Sequence, residues 1–258
     1  MMGNLFSIEG KVALVTGGSR GIGEMIARGF LEAGAKVYIS SRKAAVCDAM
    51  AAELSSIGTC ISIPADLSTE AECQRLAAEL TAREDHLDIL VNNAGATWGA
   101  PIEEFDEAAW ERVLAVNVKG VFHLTKALLP LLEAAGSADE PARVINIGSI
   151  DGIHVPLMET YSYSASKAAV HQLTRHLARR LAPTITVNAI APGPFESKMM
   201  AATLDAFGEQ IANSAPLKRI GRPDDVAGTA IFLASRAGSY LTGSVIAVDG
   251  GIATVGSN

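Results

Sequence analysis

Cysteine is scarce in this sequence, and long apolar runs are missing from it. The 258 residues include three cysteines, whose spacing fits neither a metal site nor a disulfide framework, so we expect no metal and reduced thiols in a core. No apolar stretch of roughly 18 residues occurs, and the opening residues lack a basic segment followed by an apolar one. We therefore expect a cytoplasmic protein without a membrane span. The three cysteines are Cys47, Cys60 and Cys73.

Positive charge is also in short supply. The chain has 21 lysines and arginines against 28 aspartates and glutamates, which gives a net charge of -7 and a pI near 5.3. Nucleic acids and anionic membrane surfaces attract clusters of basic residues, and the sequence contains no such cluster. We expect a small-molecule ligand, with neither nucleic acid nor membrane as a partner.

What the sequence does have is a regular alternation of short apolar runs with longer segments of helical period. Apolar strands separated by helices are typical of a parallel sheet covered on both faces. The pattern predicts an α/β fold, a doubly wound, Rossmann-type parallel sheet of about seven strands, in a single domain over 1–258. A helical insertion at about 195–216 is interpreted as a substrate lid. The apolar runs are KVALVTG, AKVYISS, TCISIPAD, LDILVNNAG, ARVINIGS, TITVNAIAPG and SVIAVDGG, and the helical segments are 21–33, 43–57, 69–84, 106–133 and 161–181.

The first predicted strand runs into a glycine-rich turn, TGGSRGIG. Gly17, Gly21 and Gly23 open the following helix, and glycines there let the backbone turn sharply and approach a pyrophosphate at the positive helix end. The spacing differs from G-x-G-x-x-G. A tight turn without a ligand is the alternative, but the position after the first strand of a doubly wound sheet favours a nucleotide site.

The stretch YSYSASK places two tyrosines close to one lysine. Tyr163 precedes Lys167 by four residues and shares its helix face, whereas Tyr161 points elsewhere. Reducing a ketone leaves an oxyanion that must be protonated, and a neighbouring ammonium is expected to lower the phenol pKa for that purpose. The pattern predicts Tyr163 as acid/base and Lys167 as its electrostatic partner. The alternative is a solvated helical pair without chemistry.

These motifs, taken together and in order, resemble the short-chain dehydrogenase/reductase family. The resemblance rests on the glycine turn, the NNAG stretch at 92–95, Ser149 and the Tyr163–Lys167 pair, and it covers about residues 8 to 251. Within the family the chain is most similar to bacterial 3-oxoacyl reductases. The resemblance implies that Lys167 also holds the nicotinamide ribose, that Ser149 hydrogen-bonds the substrate carbonyl, and that Asn117 orders a water leading to the lysine. It also implies a homodimer or homotetramer built on the helices at 106–133 and 161–181.

The cofactor can be predicted from the end of the second strand. NAD-specific sites place a carboxylate there, whereas this chain has Ser41 and Arg42, and Arg20 in the glycine turn supplies a second guanidinium for a 2′-phosphate. We expect NADPH. The resemblance implies further cofactor contacts along the turn, adenine, riboses, nicotinamide and pyrophosphate, from Ser19, Ile22, Asp66, Leu67, Asn93, Ala94, Gly95, Pro192, Gly193, Phe195 and Ser197.

The substrate is less sharply defined by the sequence. Apolar residues near the predicted nicotinamide are compatible with an acyl chain, although ordinary loop packing explains them equally well; they are Trp98, Pro156, Leu157, Met158, Met199 and Met200. We expect a 3-oxoacyl thioester or similar β-keto compound. The alternatives are a cyclic, steroid-like or aromatic ketone, and a cofactor-binding regulatory protein without catalysis, which the intact catalytic residues disfavour. Asp151 is interpreted as a turn residue, and His154 as a possible substrate contact.

The acyl carrier is a separate question, either coenzyme A or acyl carrier protein. The resemblance implies that reductases dependent on an acidic carrier protein have arginines at two places where this chain has Glu140 and Pro183. Four other arginines could substitute, although solvated helix or strand-end positions explain them better. They are Arg143, Arg175, Arg179 and Arg180.

Overall fold

A single parallel sheet forms the centre of the molecule. The computed structural model describes residues 5–156, 158–197 and 200–255, and of residues 201–204 it describes the backbone only. Seven strands lie in the order β3-β2-β1-β4-β5-β6-β7, which confirms the predicted doubly wound sheet. They are β1 (Val12–Thr16), β2 (Lys36–Ser40), β3 (Cys60–Ser62), β4 (Ile89–Asn92), β5 (Ala142–Ile147), β6 (Ile185–Pro192) and β7 (Val245–Val248).

Helices cover both faces of this sheet. They are α1 (Gly21–Glu32), α2 (Ala44–Leu54), α3 (Glu70–Thr81), α4 (Glu107–Leu114), α5 (Val121–Ala135), α6 (Tyr161–Leu181), α7 (Ala201–Ser214), α8 (Pro223–Ala234) and α9 (Ile252–Val255). Every residue of β1, β4, β5 and β6 is buried, as expected for strands sandwiched between helices. Within the described residues no helix is both long and apolar enough to span a bilayer.

Two apolar cores fill the space between the sheet and its helices. One packs α1, α2 and α8 against the sheet and includes Phe30 and Leu233. The other packs α3, α5 and α6 against the opposite face and includes Leu76 and Leu128. All three cysteines are free and buried in these cores. Burial raises the pKa of Cys60 and of Cys73 to about 11, which keeps both thiols protonated at neutral pH.

The segment predicted as one helix over 106–133 is not continuous. A π-helical turn over Ala115–Gly120 separates α4 from α5. The carbonyl of Leu67 lies where a Cβ on Gly120 would stand, so glycine lets the loop after β3 approach the turn. The side chain of Asn117 bonds across to the backbone of Ala96. Because these contacts come from distant parts of the chain, helical period alone could not predict the π turn.

Candidate active site

The candidate catalytic side chains come from three parts of the fold that meet at the carboxyl ends of the strands. Tyr163 and Lys167 lie in the first two turns of α6, Ser149 lies two residues beyond β5, and Asn117 lies in the π turn. The order of the strands reverses between β1 and β4, and in doubly wound sheets ligands bind in the crevice at that point. The structure brings the four predicted side chains together at this edge.

Lys167 is almost fully enclosed. Its side chain is 5% exposed, Nζ donates a hydrogen bond to the carbonyl of Ile147 at 2.8 Å, and Nζ lies 5.5 Å from the ring centroid of Tyr163. Burial lowers the Lys167 pKa to about 8, while nearby Asp151 raises it. The ammonium therefore remains largely charged at neutral pH and lies beside the predicted tyrosine.

Tyr161 faces away from this pair. Its ring is 37% exposed, its hydroxyl donates to the Glu159 carboxylate at 2.8 Å, and it packs edge-on against Phe105 with ring centroids 5.3 Å apart. The interpretation from helical phase, that only Tyr163 neighbours the lysine, agrees with this geometry.

The Tyr163 phenol is held in its neutral form. Burial raises its pKa to about 12; a hydrogen bond to the Ser149 side chain acts in the opposite direction, and Asp151 adds to the rise. The expected fall of this pKa is absent in the protein alone, because the effect of burial is larger than that of the hydrogen bond to Ser149. The phenol keeps its proton and can donate it.

Ser149 begins the short turn Ile150–Gly152. Its Oγ accepts a hydrogen bond from the backbone N–H of Asp151 at 3.1 Å, and the side chain is buried. An oxygen that accepts from a backbone N–H still has its own hydroxyl proton to donate. Ser149 can therefore donate a hydrogen bond towards a carbonyl beside Tyr163.

Asn117 connects the loop after β4 to α6. Its Nδ2 donates to the carbonyl of Ala96 and to Ser166 Oγ, both at 2.9 Å, and its Oδ1 accepts from the Ala96 N–H at 2.8 Å. Ser166 Oγ in turn donates to the carbonyl of Tyr163 at 2.7 Å. Both amide hydrogens are used, so a water held by this residue has to donate to its main-chain carbonyl or to Oδ1.

The glycine turn has the shape of a phosphate cradle. Gly17 and Gly21 have φ angles of 65° and 57°, which favour glycine. A Cβ on Gly17 would stand 2.6 Å from Asn93 Nδ2, and one on Gly21 would stand 3.2 Å from the Cβ of Ser197. The residue before α1, Arg20, provides no side-chain cap. The first backbone N–H groups of α1 are therefore available to an anion.

Comparison with known proteins agrees with this geometry. A family described as enoyl-(acyl carrier protein) reductase matches residues 17–253. A rhamnolipids biosynthesis 3-oxoacyl-(acyl-carrier-protein) reductase of Pseudomonas aeruginosa is 52% identical over 249 residues, 95% of this chain and 97% of the relative. The short-chain dehydrogenase/reductase PhomF of Diaporthe leptostromiformis is 36% identical over 273 residues, 96% of this chain and 93% of the relative. The solved RhlG/NADP active-site complex of Pseudomonas aeruginosa superimposes with a TM-score of 0.93 at 51% identity, covering 96% of this chain and 98% of that one.

This chain belongs to the short-chain dehydrogenase/reductase family. It is an oxidoreductase, and the predictions of family, fold and enzyme class are confirmed.

Thr16, which was given no role from the sequence, joins the end of β1 to the loop after β4. Thr16 Oγ1 accepts from the N–H of Asn93 at 2.9 Å and from the N–H of Ala94 at 3.0 Å, and donates to the carbonyl of Val91 at 3.2 Å. Asn93 Nδ2 bonds back to the carbonyl of Thr16 at 2.8 Å. The place of this threonine at the start of TGGSRGIG was the available sequence signal.

The predicted 2′-phosphate region lies at the end of β2. Arg20 and Arg42 are both exposed, and among the ion pairs of the described residues neither has an acidic partner. Ser41 follows directly and is half-buried. The residue that follows Ser41 is thus an exposed arginine and not a carboxylate, and Arg20 in the glycine turn is exposed as well.

The remaining predicted cofactor residues lie around the same crevice, except that the side chain of Phe195 points into the core. The Phe195 side chain is 2% exposed and packs in the core against Gly221, so only its backbone can face a ligand. Asp66 Oδ1 accepts from the N–H of Ser68 at 3.1 Å and thereby shapes the loop after β3. Buried or half-buried positions elsewhere along the crevice belong to Ser19, Ile22, Gly23, Leu67, Pro192 and Gly193, whereas Gly95 is exposed.

Two ionisable residues beside the site were not predicted as part of it. Asp151, interpreted as a turn residue, is half-buried, and burial raises its pKa against the opposing effect of His154 and Lys167. His171 is 5% exposed, and burial, with a smaller effect of Lys167, lowers its pKa to about 4. The only sequence signal was the position of His171, one helical turn beyond the lysine.

An exposed apolar wall borders the catalytic edge. The loops after β4 and β5 meet where the Ala100 N–H donates to the carbonyl of Glu159 at 3.3 Å. Trp98 is 37% exposed and lies under Arg112, whose guanidinium carbon is 5.3 Å from the indole centroid. Further exposed apolar residues follow Ser149, namely Ile153, Val155 and Met158. Pro156 is half-buried and Met200 belongs to the turn before α7, while the predicted contacts Leu157 and Met199 lie outside the described residues.

Proposed function

We propose that this oxidoreductase uses NADPH to reduce the 3-oxo group of a 3-oxoacyl thioester or a similar small β-keto compound. The observation that carries the proposal is the position of the half-buried Tyr163 phenol, which is hydrogen-bonded to Ser149 and whose ring centroid lies 5.5 Å from Lys167 Nζ. Proton donation to an oxyanion requires an acid that is protonated at working pH, and a phenol, whose ordinary pKa is about 10, meets this condition. The four catalytic assignments remain Asn117, Ser149, Tyr163 and Lys167.

The residues present fit the proposed cofactor. The cradle of Gly17 and Gly21 would be filled by a side chain, and the uncapped start of α1 suits a pyrophosphate. Arg20 and Arg42 would hold the 2′-phosphate, since guanidinium groups bind phosphate in a fork. NADPH, when bound, supplies the hydride. The relative solved as an NADP complex supports this choice of cofactor.

The side chains of this protein would then divide the work on the carbonyl. Ser149 donates a hydrogen bond to the substrate oxygen, and Tyr163 transfers its phenolic proton to that oxygen as negative charge develops there. The phenolate left behind lies near the Lys167 ammonium, which stabilises it. Asn117 joins the loop after β4 to α6. It thereby holds in position the route through which water returns a proton to the phenolate.

The substrate assignment rests on the apolar wall and on the acid. Trp98, Val155 and Met158 present exposed apolar surface beside the catalytic edge, which suits an acyl chain. The matching family description names an enoyl reductase, whereas the Pseudomonas relative is named for 3-oxoacyl reduction. A phenol hydrogen-bonded to a serine is arranged to protonate a carbonyl oxygen, so we favour the 3-oxo group.

A second candidate substrate is a cyclic or aromatic ketone. Tyr161, Phe105 and Trp110 form an edge-on aromatic series, with Phe105 and Trp110 centroids 6.0 Å apart. This surface borders the loop that carries Trp98 and can stack against a flat ring.

The test is a scan of NADPH oxidation at one pH across four substrate classes. These are 3-oxoacyl-CoA esters of several lengths, 2-enoyl-CoA esters, cyclic or aromatic ketones, and sugars. We expect the highest kcat/KM with a 3-oxoacyl ester and none with an enoyl ester. Turnover of enoyl esters alone, or of sugars above 3-oxoacyl esters, would contradict the proposed function.

The assembly we propose is a homodimer or homotetramer. A groove between α5 and α6 exposes apolar side chains, including Phe122 at 42% exposure. Leu129 and Leu177 line the same groove, with Glu133 and Arg180 at hand for cross-subunit ion pairs. Light scattering at micromolar concentration is expected to give two or four times the 26.8 kDa chain mass, and a monomer would refute the proposed assembly.

A further inference from the structure

A row of buried hydrogen bonds runs from α5 to α6 along one face of the sheet, through side chains of β4 and β5. Asn92 Nδ2 donates to Thr125 Oγ1 at 3.1 Å and to Asn146 Oδ1 at 2.9 Å, and Asn146 Nδ2 donates to Thr174 Oγ1 at 2.9 Å. The four side chains, here called the cross-sheet polar chain, are between 0% and 4% exposed. Polar groups buried this deeply are costly unless they are paired, so their partners are strongly specified.

The direction of these bonds is fixed at both ends. The Thr125 hydroxyl donates to the carbonyl of Val121 at 2.7 Å, and the Thr174 hydroxyl donates to the carbonyl of Val170 at 2.8 Å. Each threonine has one hydroxyl proton, which its own helix uses, so its oxygen must accept from an asparagine amide. The asparagines of β4 and β5 thus donate to the threonines of α5 and α6, which cover the same face of the sheet.

The cross-sheet polar chain lies next to the attachment of the proposed lysine. Thr174 follows Lys167 by seven residues, two helical turns along the same face of α6. Its partner Asn146 immediately precedes Ile147, whose carbonyl accepts from Lys167 Nζ at 2.8 Å. Helix α6 is therefore bonded to β5 at two levels, one of which includes the ammonium.

The other end of the chain reaches the element that carries Asn117. Thr125 lies eight residues beyond Asn117 on the continuous path from the π turn into α5. The same two elements are joined nearer the crevice by Asn117 Nδ2 and Ser166 Oγ at 2.9 Å. Two polar bridges thus connect the helices that hold three of the four proposed catalytic side chains.

Apolar packing alone does not set such a spacing. The surroundings of the polar chain are the leucines and valines of one core, and apolar contacts tolerate a small sliding of a helix along a sheet because they are non-directional. Hydrogen bonds have narrow limits of distance and angle. The polar chain therefore fixes where α6 stands relative to β5.

We propose that Asn92, Thr125, Asn146 and Thr174 are positioning residues for the reaction, which hold α6 so that the Lys167 ammonium stays between the Ile147 carbonyl and the Tyr163 phenol. This inference rests on the proposed function, because it gives Lys167 its role in the reaction.

The test uses one variant with a matched control and a rescue. Thr174→Val removes the acceptor and leaves an Asn146 amide hydrogen without a partner. Thr186→Val makes the same exchange at another buried threonine, 6% exposed, whose hydroxyl has no hydrogen-bond partner among the described residues. Thr174→Ser keeps the oxygen. Each protein is measured for kcat and KM across a pH series, for NADPH affinity by fluorescence titration, and for thermal unfolding.

We expect Thr174→Val to lower kcat about tenfold with KM for the ketone nearly unchanged. We also expect it to shift the apparent pKa of the kcat/KM profile and to weaken NADPH binding. Thr186→Val and Thr174→Ser are expected to keep the wild-type profile and affinity. A Thr174→Val protein that unfolds at lower temperature yet retains the wild-type kcat, pH profile and NADPH affinity would overturn the inference.

Failure of the inference is separable from failure of the proposed function. A wild-type protein that oxidises NADPH with none of the ketones contradicts the function. An active wild type matched by Thr174→Val contradicts only the positioning role. Should Thr174→Val not fold, Thr125→Val at the other end of the polar chain is measured in the same way, and the same two results decide.

Discussion

Burial shifts the pKa values of the two proposed catalytic groups, Tyr163 and Lys167, in opposite directions. It raises the pKa of Tyr163 to about 12 and lowers that of Lys167 to about 8, so each residue is driven towards its uncharged form. At neutral pH the pair is a phenol beside a largely charged ammonium. A phenolate forms only when the proton leaves for the substrate, and at that moment the ammonium gains a partner.

Removing the phenolic oxygen of Tyr163 tests directly whether this residue donates the proton. Tyr163→Phe is expected to reduce kcat by at least about a thousandfold, because no other group supplies the proton, while NADPH affinity changes little. Tyr161→Phe is the matched control, since that hydroxyl bonds Glu159 outside the site, and it should keep most of the activity. Steady-state kinetics and fluorescence titration measure both. Loss of activity in Tyr161→Phe instead would mean that the wrong tyrosine has been assigned.

The cofactor assignment at the end of β2 can be tested with one arginine. Arg42→Ala is expected to raise the NADPH dissociation constant by roughly tenfold or more, since a hydrogen bond to a charged group contributes about 1.5–3 kcal/mol. NADH affinity should hardly change because NADH lacks the phosphate. Titrating both cofactors against the same variant gives the comparison, and equal weakening of the two would contradict a 2′-phosphate contact.

At the scale of elements, α6 carries an ionisable residue whose burial links folding to pH. His171 has a folded pKa of about 4 against an ordinary value of 6.5, with Lys167 and Arg175 opposing protonation. Below pH 6.5 the unfolded chain binds a proton that the folded chain does not. The resulting contribution to stability is therefore present at neutral pH and is lost progressively as the pH falls from 6.5 towards 4.

Urea unfolding at pH 7.5 and pH 5 measures this linkage. The wild-type free energy of unfolding should fall by about 2 kcal/mol more over that interval than that of His171→Asn. The control His176→Asn removes an exposed histidine from the same helix, and it should follow the wild type. An identical pH dependence in His171→Asn and wild type would show that folding does not lower the pKa of His171.

The elements also show what the sequence could predict and why. The strands were predictable because central strands with both faces covered are apolar throughout, and the Tyr163–Lys167 pair was predictable because helical phase is local. The π turn at Ala115–Gly120 was not, since it depends on Asn117 bonding the backbone of Ala96, 21 residues away. The hydrogen bonds of Thr16 to Asn93 and Ala94 and the burial of His171 likewise depend on contacts between distant parts of the chain. The Tyr163 pKa depends on burial, which residue spacing does not predict.

For the molecule as a whole, the distribution of charge bears on the acyl carrier. Arg143, one of four arginines considered for carrier docking, is 1% exposed and bonds the carbonyls of Pro141 and Ser235, so it cannot attract a partner. Glu140 pairs with Lys11 at 3.2 Å just before β5 begins, at the sheet edge opposite the catalytic crevice. With a net charge of -7, the chain has little to draw in an acidic carrier protein.

We therefore expect a 3-oxoacyl-CoA to be reduced about as well as the same acyl group on a carrier protein. Measuring kcat/KM for one chain length on both carriers, at low and moderate salt, gives the comparison. A preference for the protein-bound substrate of more than about tenfold, or 1.4 kcal/mol, would contradict this expectation. The docking surface would then be sought at Arg175 and Arg179, which are exposed on α6, because Arg180 lines the groove of the proposed subunit interface.

The close approach of His171 to the turn that carries Ser149 has a consequence for substitution. The imidazole occupies the volume that a methyl group on Gly148 would need, so the two positions share one space. Gly148→Ala should be disruptive by itself, because the ring has a packed helix behind it, whereas His171→Ala vacates that space at the cost of a cavity. Combined, the two changes fill each other's defect, and the double variant should be more stable than the sum of the single effects allows.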